Sequence, residues 1–170
     1  MPSSFARLWP AYALIASALM LAAAHAFETF GHLPPCELCL KQRDVYWAAM
    51  LIGLAGLVLR RRGGGPTWRD AAFDALLALT FLMGAGLASY HVGVEWKWWP
   101  GPAACTGEHR SLSASDMTAL LRGAKVAIVR CDQAAWRLFG LSMAGWNALV
   151  SLGLAGLSAL AALSIRRRTP

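Results

Sequence analysis

Four long apolar runs divide the chain, at about residues 9–30, 43–59, 71–90 and 144–165. Short polar segments separate the first three. One long polar stretch, about residues 91–143, precedes the fourth. At ~1.5 Å per residue the runs approach the ~30 Å thickness of a hydrocarbon core. The pattern predicts an all-α membrane protein: a four-helix transmembrane bundle forming one integral domain over residues 1–170, with loops about 31–42 and 91–143 on one side. Gly63-Gly64-Gly65-Pro66 breaks the chain between runs two and three. The first run is long for a signal-peptide core, and three further apolar segments follow it, so it is read as a span.

The long loop is too short and too rich in Gly and Pro to build its own core. Inside it, Ser113 and Asp116 suit a helix N-terminus, with Leu112, Met117, Leu120 and Leu121 around them. Two readings stand: a short amphipathic helix on the membrane surface, or a solvated helical turn.

Composition agrees with the pattern. The chain is 57% hydrophobic and 15% charged, which argues against an ordinary soluble domain. Its net charge of +7 gathers at the ends of the runs, in Arg60-Arg61-Arg62 with Arg69 and in Arg166-Arg167-Arg168. That placement marks topology and does not form a nucleic-acid patch. Four spans put both termini on one side, where eight Lys and Arg lie in short segments. The eight on the other side are spread over longer loops among acids such as Glu37, Asp44 and Glu95. Basic density therefore places both termini in the cytoplasm and all four cysteines outside, where disulfides persist. Trp9, Trp47, Trp96, Trp98, Trp99 and Trp146 fit an aromatic belt near the span ends.

The candidate chemistry lies in Pro34-Pro35-Cys36-Glu37-Leu38-Cys39-Leu40-Lys41-Gln42-Arg43, at the mouth of the second run. A Cys-x-x-Cys pair forms a reversible disulfide. With Pro35 in the first helical turn, the positive end of the helix dipole would favour a thiolate. Arg43 follows Cys39 by four residues and Cys36 by seven, so the three share a face. It suits stabilising a thiolate or a reduced cofactor's oxygen; an interfacial anchor is the alternative. Cys105 and Cys131 lie in the long loop. They read either as a structural staple of ~3–4 kcal/mol in the chain-entropy model or as an exposed, labile exchange site. Metal binding by the cysteines and by His25, His32, His91 and His109 is a rival, although no second short Cys spacing exists and no metal is expected. Neither a haem attachment signal nor a nucleotide fingerprint is present, and a lipid-soluble quinone needs the least machinery as electron acceptor. Glu28 reads as a snorkelling interface group or a proton donor, and His25 as a helix-packing residue.

These residues resemble the bacterial DsbB family of disulfide bond formation proteins. The resemblance rests on Pro35-Cys36-x-x-Cys39 with Arg43, Tyr90-His91, Pro102 before Cys105, and the run Cys131, Trp136, Phe139-Gly140-Leu141, Met143, Trp146. It implies a protein-dithiol:quinone oxidoreductase of the bacterial inner membrane that reoxidises a periplasmic DsbA-type thiol oxidase. That system is the one held to keep the periplasm oxidising. It implies that Cys105–Cys131 is a mobile loop disulfide, with Cys105 forming the mixed disulfide with the partner. Cys36 and Cys39 would reoxidise the loop. Cys39 would contact the quinone, ubiquinone or menaquinone, Arg43 would polarise it, and His91 would lie near it. The partners implied are that oxidase, the quinone pool and the lipid bilayer, with no nucleic acid. A relative serving one dedicated partner, and a vitamin K epoxide reductase-like enzyme, are the remaining rivals. The latter family places its Cys-x-x-Cys late in the chain, whereas here it comes early.

Overall fold

The computed structural model describes residues 3–62, 67–102, 118, 121–122 and 130–167. Four helices dominate: α1 (Ser3–Thr29), α2 (Glu37–Arg62), α3 (Trp68–Glu95) and α4 (Met143–Arg166). A two-residue hairpin, β1 (Arg137–Leu138) with β2 (Leu141–Ser142), leads into α4. Three helices contain stretches long and apolar enough to cross a membrane: Phe5–Thr29, Trp68–Glu95 and Met143–Arg166. α2 is not among them, because charged residues fill both its ends and shorten its apolar stretch.

The helices are longer than the apolar runs. Polar residues at the run ends still gain from intrahelical hydrogen bonds, so hydropathy underestimates helix length. The expected loop 31–42 therefore loses residues 37–42 to α2. The expected loop 91–143 loses residues 91–95 to α3 and 137–142 to the hairpin. The hairpin corrects a purely helical expectation. Its tight turn puts Phe139 (φ 50°) and Gly140 (φ 80°) in the left-handed region, the geometry of a two-residue type I′ loop. In the expected amphipathic segment, the Arg122 N–H donates to the Thr118 carbonyl at 3.2 Å, and Leu121 is exposed. Ser113, Asp116, Met117 and Leu120 lie outside the described residues.

Local chemistry sets the helix ends. At the start of α3, the Asp70 carboxylate accepts from the Thr67 N–H (2.7 Å) and hydroxyl (3.0 Å). At its end, Trp98 N–H reaches the Gly93 carbonyl at 2.9 Å and Lys97 N–H the Val94 carbonyl at 3.1 Å. With Lys97 at φ 60°, this is a Schellman stop. Ser142 caps α4, accepting from the Gly145 N–H at 3.1 Å.

α3 and α4 pack along much of their length; α1 lies on α2, α2 on α3, and α1 touches α4. Small residues allow close approach. A Cβ at Gly84 would meet Val45 Cγ1 at 3.0 Å and Ser151 Oγ at 3.4 Å. Tyr46, Leu77, Phe81, Trp9 and several alanines form the core. Large apolar residues such as Leu19, Leu51, Leu79, Met83 and Leu152 face outward. Polar Ser17, Asp74, Ser151 and Ser158 are fully buried. An apolar exterior around polar interior groups suits lipid, not water.

Two expectations from the span ends need correction. Trp9 is not a belt residue: it is buried and donates from Nε1 to Ser158 Oγ at 2.9 Å. Arg60 is more than a topology marker. Pro10 has no N–H, which frees the Ala6 carbonyl within α1. Arg60 Nη1 donates to that carbonyl at 2.8 Å, while its Nε and Nη2 reach Asp70 (3.2 Å) and Asp74 (2.8 Å).

Candidate functional site

Cys36 stands just before α2, in the N-cap position. Its sulfur accepts the Cys39 N–H at 3.3 Å, as an oxygen cap would. Pro35 thus precedes the cap instead of opening the first turn. Cys39 lies in the first turn, at the positive end of the helix dipole. Both cysteines are free, with their sulfurs 2.8 Å apart. The pair divides its labour. The Cys36 thiol is pushed up by its hydrogen bond to Cys39 and by burial. Cys39 is pulled below the usual thiol range, first by the Cys36 hydrogen bond, then by a backbone N–H and the Arg43 charge, against the opposing cost of burial. Cys36 holds the proton and Cys39 the negative charge.

Cys131 is disulfide-bonded and only 1% exposed, which corrects the expectation of an exposed disulfide at this residue. It packs in one apolar cluster with Cys36, Leu38 and Val94, with Cys39 against it. The fold therefore lays Cys131 on the Cys36–Cys39 pair. Cys105 lies outside the described residues.

His91, in the penultimate turn of α3, sits where Cys131 meets the Cys36–Cys39 pair. Its Nε2 is 3.7 Å from Cys36 Sγ, and the Cys131 backbone also hydrogen-bonds the ring. Gln42 meets Nδ1 at 2.9 Å. One turn on, Glu95 Oε1 is 3.9 Å from Nε2, and its carboxylate accepts from Ser142. The donor atoms of Cys36, Cys39 and His91 lie within 4.8 Å of one another, a set that a soft metal ion could also use.

Arg43 lies in the same part of α2, mostly buried. It donates from Nη1 to Glu28 at 2.6 Å and from Nη2 to the Ala24 carbonyl at 3.2 Å. Glu28 is thus an ion-pair partner, holding the guanidinium against α1. His25 bonds the Leu21 carbonyl at 2.8 Å and takes no part in the site.

Cys39, Arg43, His91 and Glu95 open onto a cavity of about 360 Å³. Its other walls are mostly apolar, including Met20, Leu21, Phe27, Met143 and Val150. Trp136 closes over one side, its ring 5.1 Å from Phe27. Trp146 lines the cavity and donates to the Leu138 carbonyl at 3.1 Å, so it too is more than a belt residue.

Sequence reasoning missed Gln42, Tyr46, Glu95 and Asn147. The available signal was polarity inside apolar helices: Gln42 sits one turn after Cys39, and Asn147 and Ser151 are four apart in the most apolar helix.

The family model for the disulfide bond formation protein DsbB matches residues 6–161. A disulfide bond formation protein B from Xylella fastidiosa is 28% identical over 153 residues, covering 89% of this chain and 86% of that protein. One from Dechloromonas aromatica is 29% identical over 151 residues, covering 83% and 82%. One from Methylococcus capsulatus is 30% identical over 148 residues, covering 84% and 85%. No solved structure matches significantly. With Cys131 packed against the Cys36–Cys39 pair beside a cavity, and a match over nearly its whole length, the chain belongs to the DsbB family of disulfide bond formation proteins.

Proposed function

We propose that this protein is a four-span oxidase of the bacterial inner membrane, with both termini cytoplasmic, that takes electrons from a periplasmic DsbA-type thiol oxidase and delivers them to a membrane quinone. α2 is the fourth span, and the cysteines lie on the periplasmic side. The carrying observation is the placement of Cys39 and Arg43 on an apolar cavity of about 360 Å³ while Cys131 packs against Cys36.

Electrons enter at Cys105–Cys131 by thiol–disulfide exchange. Each exchange makes one S–S bond from the attacking thiolate's electron pair and leaves the pair of the broken bond on the departing sulfur. Transfer to Cys36–Cys39 follows, for which the contact between Cys131 and Cys36 is suited. Cys39 then carries negative charge toward the cavity, and Cys36 keeps its proton. A quinone, ubiquinone or menaquinone, supplies a two-electron, two-proton acceptor. The residues suit its shape: Arg43 for a ring oxygen, His91 near the ring, and Met20, Leu21 and Val150 for an apolar tail. Arg43 is already oriented by Glu28, which lowers the cost of ordering it for a ligand.

The test is optical measurement of quinone reduction by the purified protein, with a reduced DsbA-type protein as donor. One quinone consumed per donor dithiol is expected, and none in Cys39→Ser. Donor exchange without quinone reduction would overturn the acceptor assignment. Metal capture is the second reading, favoured only by the Cys36–Cys39–His91 donor set. Stoichiometric metal in the reduced, purified protein, with no quinone turnover, would establish it instead.

A further inference from the structure

Beneath the cysteine pair, buried polar side chains run from helix to helix. Gln42 (α2) meets Nδ1 of His91 (α3), and its Oε1 accepts from Asn147 Nδ2 (α4). Asn147 Oδ1 accepts from the Tyr46 hydroxyl (α2), which also lies 3.0 Å from Ser151 Oγ. All five residues are at most 8% exposed. Burying so many polar groups is costly unless each is bonded, and these satisfy one another. Close packing of α3 at this level already comes from Gly84, where a Cβ would meet Val45 at 3.0 Å. Among the described residues, the row ends at the one imidazole that faces the Cys36 thiol.

We propose that Gln42, held by Asn147 and Tyr46, is a positioning residue that aims His91 Nε2 at the Cys36 sulfur, and that His91, backed by the Glu95 carboxylate, moves the proton Cys36 must lose or regain in each exchange. When Cys36 attacks, its S–H bond breaks, the proton binds Nε2, and the sulfur's electron pair makes the new S–S bond. When Cys36 departs, the same proton returns. As placed, the Gln42 amide nitrogen donates to Nδ1, which leaves the neutral ring's proton on Nε2. Nε2 is freed for the Cys36 proton when the Gln42 and Asn147 amides turn over together. Gln42 Oε1 then accepts from Nδ1–H, Asn147 Oδ1 accepts from the Gln42 amide, and Asn147 donates to the Tyr46 hydroxyl. Glu95 is 9% exposed and lies 3.9 Å from Nε2, and its Oε2 has no hydrogen-bond partner among the described residues. A carboxylate so placed stabilises the imidazolium.

Other groups facing the site are few. α2 contributes Cys39 and Arg43, and α1 contributes Glu28, already paired with Arg43. The segment before α4 adds Arg130, which lines the cavity, and Arg137, which acts on Glu95. α4 presents no charged residue to the cavity.

The inference rests on the thiol-exchange reading, but its test needs neither donor nor quinone. In Cys39→Ser protein with the Cys131 disulfide intact, the rate of Cys36 alkylation by iodoacetamide is measured against pH. An inflection set by the imidazole is expected, and His91→Gln abolishes it. Gln42→Glu, close in shape and anionic, moves the inflection up by about one pH unit. Gln42→Leu and Glu95→Gln move it down, and Asn147→Ala does so less. A merely structural role would change folded yield, read by thermal melting, without moving the inflection. An inflection unmoved in both Gln42→Glu and Gln42→Leu overturns the relay, as does one that survives His91→Gln. Quinone turnover intact alongside that result would leave the proposed function standing. Displaced inflections in a protein that reduces no quinone would uphold the relay and remove the function.

Discussion

The two ends of the bundle both bury polar groups, but in opposite manners. At the end near the termini, Arg60 joins Asp70, Asp74 and the carbonyl freed by Pro10. This is a charged network that pins α1, α2 and α3 together. At the other end, the row from Tyr46 to His91 carries no fixed charge and has a titratable imidazole as its last member, and it stops beside the Cys36 thiol and a half-bonded carboxylate. An ion network of this kind holds helices in place. A neutral row with a titratable terminus can move a proton at little electrostatic cost. Helix packing and chemistry are thus assigned to separate ends.

Disrupting the charged end gives the largest expected effect. Arg60→Met leaves two buried carboxylates unpaired and should cost about 3–5 kcal/mol, read by denaturation in detergent. Cys39 alkylation in the surviving folded protein should be unchanged. A loss below about 1 kcal/mol would erase the contrast between the ends.

At the redox end the next effect is in reactivity. Cys39 has a lowered thiol pKa, so its thiolate persists as pH falls, until pH passes below that lowered value. Cys36 is raised, so its thiolate appears only as pH climbs above the usual thiol range. In the fully reduced protein at neutral pH, Cys39 should alkylate about a hundredfold faster than Cys36, measured by peptide mass analysis. Equal rates would contradict the division of proton and charge within the pair.

The smallest effect sharpens the picture of the cavity. Arg43→Ala should raise the apparent KM for quinone about tenfold, about 1.4 kcal/mol, with a smaller change in kcat. An unchanged KM would leave Arg43 only its structural pairing with Glu28.

Much of this molecule was legible in the chain. The apolar runs announced four helices, and Cys36-x-x-Cys39 with Arg43 announced a dithiol at a helix start, because both signals depend on spacing along a few turns. The ends of the helices were not legible, since capping by Thr67, Ser142 and the Cys36 sulfur overrides hydropathy there. Pairings between distant positions were hidden for another reason. Arg43 with Glu28, Arg60 with Asp74, and His91 with Gln42 each join residues on different helices, and each alone reads as an interfacial or packing residue. Local spacing determined that helices, a dithiol and a charge bias exist. Only the tertiary structure decided that Cys131 is buried on Cys36 and that Asn147 and Tyr46 support Gln42, because those contacts depend on the rotation and approach of whole helices.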